Sequence, residues 1–260
     1  MTTALTIAGS DSGGGAGVQA DLKTFAAHGV YGLSAVTAVT AQNSLAVSAI
    51  HPVPAPVVAS QIAAVVTDFG AQAVKTGMLL EAAIVEAVAA SLAEFKLPNL
   101  VVDPVLIASS GAALLDADGV SALRTRLLPL ARVVTPNRPE AERLTGRAIA
   151  STGEAADAAR RIRDMGPAAV ILTGGHLRGD TVVDILYDGV ELFELRGTRV
   201  ETAHSHGTGC TFAAAVAAGL ALGRALPEAA RSAKRYVEQG LRRAPGLGRG
   251  SGPLAHCRPV

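Results

Sequence analysis

The sequence has no tryptophan and little charge: of its 260 residues, 3% are aromatic and 17% are charged. Basic and acidic residues nearly cancel, which leaves a formal net charge of +1. Proteins that bind nucleic acid usually carry a clustered basic face, so this balance gives no reason to expect a nucleic-acid partner. Hydrophobic residues make up 49% of the chain, which favours a packed interior over a disordered chain.

Cysteine and long apolar runs are scarce as well. Cys210 and Cys257 are the two cysteines of the sequence, and neither has neighbours at metal-ligand spacing. Residues 1–8 lack the basic region and apolar run of a secretory signal. The longest charge-free apolar run, residues 212–222, is shorter than the roughly 20 residues that cross a bilayer. We therefore expect a cytoplasmic protein with no membrane partner.

A glycine-rich loop at residues 9–17 carries neither of two common nucleotide-binding fingerprints. It lacks the Gly-Lys-Ser/Thr ending of a Walker A loop and the Gly-x-Gly-x-x-Gly spacing of a Rossmann loop. By itself such a loop is equally compatible with a tight turn before a helix.

Short apolar segments alternate with longer helical patterns along most of the chain. We predict strands at residues 5–8, 34–40, 73–76, 100–103, 132–135 and 169–173. We predict helices at residues 18–28, 57–69, 81–95, 120–128, 139–144, 154–165, 212–222 and 227–242. This alternation predicts a doubly wound α/β fold, whose mostly parallel sheet is covered by helices on both faces, in a single domain over residues 1–260.

The pattern changes after residue 180. Residues 182–187 and 190–195 flank Asp188 and Gly189, a pair that is typical of a hairpin turn. We expect an antiparallel hairpin at one edge of the sheet. An exposed edge of this kind makes a homodimer plausible.

Polar residues, glycines and one methionine lie at the ends of the predicted strands, where such sheets bind ligands. They are Gln42, Met78, Asp103, Asn137, Glu140, Thr173, Gly174 and Gly175. An Asp or Asn after a strand is often only a turn former. Several such residues at one edge predict a binding site, in which the amide of Gln42 could read the donors and acceptors of a heterocycle.

The segment from His206 to Cys210 precedes an apolar run and is typical of a helix N-terminus that binds an anion. Gly207 and Gly209 leave room for the anion, and Thr208 lies between them. Cys210 falls in the first turn, where the helix dipole is expected to lower the pKa of the thiol and make it a proton acceptor. The alternative is a plain cap for a buried helix, with Cys210 as a small apolar residue.

These motifs together resemble the ribokinase superfamily and, within it, the hydroxymethylpyrimidine/phosphomethylpyrimidine kinases of thiamine biosynthesis, over residues 7–256. The resemblance rests on Ala8-Gly9-Ser10-Asp11-Ser12, Gly14-Gly15-Ala16-Gly17, Gln19-Ala20-Asp21-Leu22-Lys23-Thr24-Phe25, Thr40-Ala41-Gln42-Asn43, Lys75-Thr76-Gly77-Met78-Leu79, Val102-Asp103-Pro104-Val105, Thr135-Pro136-Asn137, Pro139-Glu140-Ala141-Glu142, Gly174-Gly175-His176-Leu177 and His206-Gly207-Thr208-Gly209-Cys210-Thr211.

The resemblance implies a ribokinase-like fold and ATP-dependent phosphorylation of 4-amino-5-hydroxymethyl-2-methylpyrimidine, then of its monophosphate. It implies a pyrimidine pocket formed by Gly9, Ala16, Asp21, Gln42, Met78 and Val105. It places ATP and Mg²⁺ near Asp103, Asn137, Glu140, Thr173 and Gly175, with Asp103 and Glu140 as the metal ligands. Gly207, Thr208, Gly209 and Cys210 would hold the transferring phosphoryl group, with Cys210 as the base. A Cys210→Ala substitution should then impair the first phosphorylation more than the second.

The chain departs from this family at three positions. Thr173 and Ser109 stand where the family often has lysine, and Gly13 stands where it commonly has serine. Without these two lysines, other positively charged residues would have to neutralise the phosphate groups. Candidate replacements are Lys75, Lys234 and Arg138, although each is expected to be a surface charge.

Other functions are compatible with the sequence. A pyridoxal kinase would also phosphorylate a hydroxymethyl group on a planar heteroaromatic ring, but it would not make a diphosphate. A pyrimidine-binding regulator without catalysis is conceivable because of the two missing lysines, although Asp103, Glu140 and Cys210 are intact. A cysteine hydrolase acting through Cys210 lacks an assigned partner base.

Overall fold

The computed structural model describes residues 1–107, 114–174 and 180–257. The strands are β1 (Thr3–Asp11), β2 (Tyr31–Gln42), β3 (Val47–Pro52), β4 (Ala73–Thr76), β5 (Leu100–Val102), β6 (Val133–Val134), β7 (Val170–Leu172), β8 (Thr181–Tyr187) and β9 (Leu192–Thr198). They form one sheet in the order β3-β2-β1-β4-β5-β6-β7-β8-β9. The six strands from β2 to β7 in that order are mutually parallel, and β3, β8 and β9 are antiparallel to their neighbours.

Helices cover both faces of this sheet. They are α1 (Gly17–Ala27), α2 (Ala55–Phe69), α3 (Ala82–Glu94), α4 (Ala117–Ala122), α5 (Arg138–Thr145), α6 (Thr152–Arg163), α7 (Thr208–Ala221) and α8 (Leu226–Arg242). Helices α1, α7 and α8 pack on one face, and α2 to α6 pack on the other. The predicted doubly wound α/β fold with an antiparallel edge is confirmed.

Alternation along the short strands explains why each face has its own core. Leu5 and Val102 belong to the cluster under α2 to α6, whereas their neighbours Ala4 and Val101 belong to the cluster under α1, α7 and α8. Successive side chains of a strand point to opposite faces, so a strand buried on both sides is apolar throughout.

Helix α7 is buried almost all round, and its small residues allow it to lie directly on the sheet. The side chains of Ala213, Ala214, Ala217 and Ala218 are all fully buried. Close approach is also needed on its outer side, because a Cβ added at Gly219 would lie 2.8 Å from the Cβ of Ala229 in α8. The helix contacts β1, β4 and β5, which places its N-terminus near the middle of the sheet.

Strand β3, at the other edge of the sheet, is absent from our sequence prediction, which assigns no strand or helix between residues 40 and 57. Its residues are exposed or only partly buried, and it is held by antiparallel pairing with β2, for example Thr40 opposite Ile50. A strand whose faces are both largely exposed has no apolar alternation, so the pattern that identifies strands is missing.

Two further boundaries differ from the prediction. The helix expected at residues 120–128 starts at Ala117, where Asp116 accepts a hydrogen bond from the Gly119 N–H, and continues after Ala122 as a π-helical and then a 3₁₀ segment to Leu130. The hairpin turn has four residues rather than two. The Asp188 carboxylate accepts the N–H groups of Val190 and Glu191 there. None of the helices in the described ranges is long and apolar enough to span a membrane.

Candidate functional site

The residues predicted at the strand ends do follow β2, β4, β5, β6 and β7, which are parallel and end at the same edge of the sheet. Gln42 ends β2, Asp103 follows β5, and Asn137 pairs with Thr173 in a parallel bridge beyond β6 and β7. The Gly174 N–H donates to Asp184 Oδ1 at 2.8 Å, which anchors the end of β7 to β8. Gly175 and Ser109 lie outside the described residues.

The two glycine loops pack against each other at this edge. A Cβ added at Gly207 would lie 1.8 Å from the carbonyl oxygen of Gly15, and the φ of Gly207 is +81°. A Cβ at Gly17 would lie 2.2 Å from the carbonyl oxygen of Gly9. The glycines therefore serve close backbone approach, which brings the first loop against the N-terminus of α7.

Helix α7 begins at Thr208, so Gly209 and Cys210 lie in its first turn as predicted. An α-helix supplies no acceptor for the N–H groups of this turn, and the positive end of its dipole lies there. A Cβ added at Gly209 would meet no atom within 4 Å. No side chain or neighbouring segment therefore fills the space beside Gly209, and an anion can approach the first turn closely where no Cβ intervenes.

Gly9 and Met78, two predicted pocket residues, are in contact. A Cβ added at Gly9 would lie 2.4 Å from Met78 Cε. The Thr37 hydroxyl donates to the Met78 carbonyl oxygen at 2.6 Å and holds the segment after β4 in place. Ala16 and Val105, also predicted for the pocket, are partly exposed.

Asp11 organises the first glycine loop and connects it to the segment before α7. Its carboxylate accepts the N–H groups of Gly13, Gly15 and Ala16, and its Oδ2 lies 2.8 Å from His206 Nε2. Burial would raise the pKa of this carboxyl, but the hydrogen bonds from His206 and the loop lower it overall. The same His206 Nε2 lies 3.3 Å from the amide nitrogen of Gln42.

A second polar cluster is fully buried beneath the site. Lys75 Nζ, on β4, lies 2.9 Å from Asp21 Oδ2 and 3.6 Å from Asp103 Oδ2. The Thr6 hydroxyl donates to Asp21 Oδ2 at 2.5 Å. Three buried oxygen atoms of this cluster, Asp21 Oδ1, Thr76 Oγ1 and Asp103 Oδ2, have no hydrogen-bond partner within the described chain.

The expectation that Lys75 and Lys234 are surface charges was wrong. Lys75 is completely buried. Burial alone would lower its pKa, but the carboxylates of Asp21 and Asp103 raise it, so the ammonium stays charged. Lys234 is largely buried, and its Nζ pairs with Asp184 Oδ2 at 2.7 Å. Arg138 is partly exposed and pairs with Glu142 at 3.1 Å.

The expectation of a lowered thiol pKa at Cys210 was also wrong. Cys210 is partly exposed as a residue, yet burial of its thiol raises the pKa to about 12. Lys75 opposes this increase, whereas the negative charges of Asp103 and Asp21 add to it. Desolvation and the two carboxylates therefore outweigh the lowering effects of Lys75 and of the backbone hydrogen bond with Gly17, and the thiol is neutral at physiological pH.

Asp103 and Glu140 are two buried carboxyl groups close enough to interact. Burial raises the pKa of each, and the charge of Asp103 raises that of Glu140 further. Glu140 also forms a capping box with Asn137, since each side chain accepts the other's backbone N–H at the start of α5.

A divalent cation would relieve the repulsion between the Asp103 and Glu140 carboxylates, and Mg²⁺ commonly uses one or two carboxylates completed by phosphate and water. The donor set therefore fits Mg²⁺. Within the described ranges, no group of three or more His, Cys, Asp or Glu side chains is arranged to hold a metal ion.

Sequence reasoning missed the roles of Asp11, Lys75, Asp184 and His206. Lys75 had a detectable signal, because a lysine within a short, otherwise apolar strand of a parallel sheet must be buried with a partner. His206 and Asp11 lie 195 residues apart, so no local pattern could join them.

Comparison with known proteins gives a consistent result. The sequence model of the phosphomethylpyrimidine kinase family matches residues 11–255. The chain is 49% identical over 258 residues to the hydroxymethylpyrimidine/phosphomethylpyrimidine kinase of Synechococcus elongatus, covering 99% of this chain and 98% of that protein. It is 52% identical over 252 residues to the thiamine biosynthesis bifunctional protein of Geobacter sulfurreducens, and there it covers 97% of this chain but spans 51% of that longer protein. Its fold matches that of a Bacillus subtilis pyridoxal kinase solved with ADP, with a TM-score of 0.92, 39% identity, and coverage of 98% and 97% of the two chains.

Proposed function

This chain belongs to the phosphomethylpyrimidine kinase family, and on that basis we propose that it transfers phosphoryl groups from ATP in two steps. The first acceptor is the hydroxymethyl oxygen of 4-amino-5-hydroxymethyl-2-methylpyrimidine, and the second is the resulting monophosphate, giving the diphosphate for thiamine biosynthesis. The observation that carries the proposal is the open first turn of α7, at Gly209, whose Cys210 interacts with both members of the buried Lys75–Asp103 pair. An anion site next to buried charge of both signs is suited to phosphoryl transfer.

The transferring phosphoryl group would lie against the N–H groups of Gly209 and Cys210, in the loop that includes Gly207 and Thr208. Helix-dipole and N–H donors stabilise the charge that spreads over the phosphoryl oxygens. Lys75 supplies a fixed positive charge close by. In-line transfer needs little covalent help from the protein, so positioning and charge neutralisation are the main requirements.

Asp103 and Glu140 would hold Mg²⁺, and Asn137, Thr173 and Gly175 would lie along ATP. The cation would neutralise phosphate charge during transfer. The capping box with Asn137 fixes the rotamer of Glu140, so the carboxylate is already oriented before ATP binds. Preorientation of this kind lowers the entropy cost of assembling the site.

The pyrimidine would lie over Gly9 and Met78, near Ala16 and Val105, with the amide of Gln42 reading its ring edge. Because Gly9 has no Cβ, the Met78 thioether can pack directly against its backbone. The two residues together would offer a flat apolar surface to a heteroaromatic ring. Asp21, which lies beneath this pocket, would accept a hydrogen bond from the substrate through its unpartnered Oδ1. An unpaired buried oxygen of this kind is satisfied when a ligand donor reaches it.

The raised thiol pKa changes the role we propose for Cys210. A neutral thiol cannot take the hydroxyl proton, so Cys210 contributes its backbone N–H and the shape of the anion site. The same property argues against a cysteine hydrolase, whose nucleophile must be a thiolate at neutral pH.

We also propose that residues 1–260 act as one catalytic domain in the cytoplasm and assemble as a homodimer without nucleic-acid or membrane partners. The outer strands β3 and β9 each leave one side unpaired within the sheet. Such edges are surfaces that a second copy can cover. Sedimentation velocity over a range of protein concentrations tests the dimer.

The decisive experiment measures ATP consumption with Mg²⁺ against hydroxymethylpyrimidine, its monophosphate and pyridoxal in parallel. Turnover of both pyrimidines, ending in the diphosphate, is the expected result. Turnover of pyridoxal alone would instead establish a pyridoxal kinase, an alternative favoured by the likeness to the Bacillus subtilis enzyme. Tight pyrimidine binding without turnover would establish a regulator.

A further inference from the structure

Three side chains from distant parts of the sequence meet at the rim of the proposed substrate pocket. His206 Nε2 lies 2.8 Å from Asp11 Oδ2 and 3.3 Å from the amide nitrogen of Gln42. The other end of the Gln42 amide, its oxygen, lies 3.2 Å from the Thr40 hydroxyl. The amide that we place at the edge of the pyrimidine is therefore held from both ends.

The proton on the His206 ring follows from the partners of Asp11. Asp11 Oδ2 already accepts the N–H groups of Gly15 and Ala16, and Oδ1 accepts that of Gly13. A carboxylate with three backbone donors is ionised and can only accept, which agrees with its lowered pKa. The hydrogen bond to Asp11 therefore requires that Nε2 of His206 carry the proton.

A protonated Nε2 cannot accept a hydrogen bond from the Gln42 NH₂ group. The two ends of a carboxamide have the same shape, so turning the amide by 180° leaves the distances of 3.3 Å and 3.2 Å in place and puts the oxygen toward His206. The NH₂ group then faces the Thr40 hydroxyl. That hydroxyl can accept from it while donating to the Ser10 carbonyl oxygen, 2.8 Å away.

We propose that His206 is a positioning residue for substrate recognition: its single Nε2–H donates to Asp11 and is shared, as the longer arm of a three-centre hydrogen bond, with the Gln42 amide oxygen, so that the Gln42 NH₂ group becomes the donor that meets an acceptor nitrogen of the heteroaromatic substrate. This inference rests on the proposed function only in placing Gln42 at the substrate ring. It assigns the chemical preference of that position: a ring with an acceptor nitrogen, as in pyrimidines and pyridines.

The surroundings of His206 hold its ring in one orientation. The ring packs on the first glycine loop, since a Cβ added at Gly15 would lie 2.7 Å from His206 Cδ2. Its backbone N–H donates to the Gly252 carbonyl oxygen at 3.1 Å, and it forms a parallel bridge with Pro253. The C-terminal segment thus supports the residue that orients Gln42.

A double-mutant cycle tests the proposal. The single variants are His206→Phe, which keeps a ring without a hydrogen-bond donor, and Gln42→Met, which keeps the side-chain length without the amide. We expect each to raise the KM for the heteroaromatic substrate about tenfold, as for loss of one polar contact, with kcat and the KM for ATP nearly unchanged. The double variant should be no worse than Gln42→Met, because His206 acts through Gln42.

Additive effects in the cycle would overturn the proposal, as would a loss of kcat or of ATP affinity in His206→Phe, because either would mean that His206 acts through the neighbouring anion loop. His204→Phe is the matched control. It changes the same residue type in the same segment, also near Gly252, and its effect should add to that of Gln42→Met.

A spectroscopic measurement checks the tautomer directly. The ¹⁵N shifts of the His206 ring in the intact enzyme at mildly alkaline pH should show Nε2 protonated and Nδ1 bare, and the opposite tautomer would overturn the proposal. Neither test requires the enzyme to prefer a pyrimidine. If the wild type phosphorylates only pyridoxal, the proposed function fails, yet the same cycle can be measured with pyridoxal.

Discussion

The site contains two groups of carboxylates that the protein treats in opposite ways. At the rim, Asp11 receives hydrogen bonds from three backbone N–H groups and from His206, and its pKa is lowered. Beneath it, Asp21 and Asp103 share Lys75, and burial raises the pKa of both. Each of these two carboxyl groups keeps one oxygen without a hydrogen-bond partner in the described chain.

The two groups differ in how far the chain itself satisfies their oxygen atoms. Asp11 has used its hydrogen-bonding capacity to fold the first glycine loop onto the start of α7. Asp21 Oδ1 has no hydrogen-bond partner in the described chain, and Asp103 Oδ2 has only the 3.6 Å ion pair with Lys75, in a place where a buried unsatisfied group costs about 1–3 kcal/mol. Such a cost is tolerated in a native protein where a substrate or cation satisfies the group.

Replacing Lys75 tests the buried side of this comparison most severely. Lys75→Met leaves two buried carboxyl groups without their cation, which should reduce the free energy of unfolding by about 3–5 kcal/mol. Denaturant titration measures this loss.

The pH dependence of the Lys75→Met variant has a defined sign. Without Lys75 the folded-state pKa values of Asp21 and Asp103 rise further above their unfolded values. Their protonated forms are then favoured in the folded state, so the deficit should shrink as the pH falls and grow as it rises. A deficit independent of pH would contradict the assigned ion pairs. Adding Asp21→Asn should recover part of the lost stability.

Gly207→Ala tests the contact between the two glycine loops. A Cβ there would lie 1.8 Å from a backbone oxygen at a φ of +81°, so we expect a loss of roughly 2–3 kcal/mol in stability and of most activity. Gly209→Ala is the matched control, because its Cβ would meet nothing within 4 Å. It should keep the stability of the wild type and yet weaken ATP turnover, since the methyl group occupies the space in front of the helix N-terminus. Equal losses of stability in Gly207→Ala and Gly209→Ala would contradict the assignment of Gly207 to the loop contact and of Gly209 to the open space at the helix N-terminus.

Asp11→Asn tests the rim carboxylate. It should reduce the free energy of unfolding by about 1–2 kcal/mol, less than Lys75→Met or Gly207→Ala, because the amide retains one acceptor oxygen. The folded-state pKa of Asp11 lies below its ordinary value of 3.8, so its contribution is present above that pH and is lost as the pH falls through the folded pKa. The difference in stability between wild type and variant should therefore narrow below about pH 4. Thermal unfolding of both proteins between neutral and acidic pH measures it, and a gap that stays constant would mean that Asp11 is not ionised in the fold.

Cys210→Ala should have the smallest effect on stability and the most informative effect on activity. Because the thiol is neutral, we now expect the two phosphorylation steps to slow by the same factor, not the first step more than the second. Single-turnover measurements with the pyrimidine and with its monophosphate give the two factors. A selective loss of the first step would restore Cys210 as the proton acceptor.

Much of the fold was predictable because its signals are local. Strands such as Ala73–Thr76 were predicted with the observed bounds, and Gly207 to Cys210 were predicted at a helix N-terminus. The strand β3 was not predicted because both of its faces are largely exposed, and the strand with which it pairs, β2, cannot be inferred from the residues of β3 themselves. The direction of the Cys210 pKa shift escaped for a similar reason: the helix dipole is a local property, whereas burial and the charge of Asp103 come from other elements.

The sequence by itself determined the α/β alternation, the common edge at which the parallel strands end, the helix N-terminus at Thr208 and, through its motifs, the kinase family. These depend on spacing and residue type within a few residues of one another. Only the tertiary structure decided that Lys75 is the buried partner of two carboxylates, that Asp11 reaches His206 across 195 residues, and that the Cys210 thiol is neutral. Charge, proton position and hydrogen-bond direction depend on distance and desolvation in three dimensions, and for these groups the chain acquires both only when it folds.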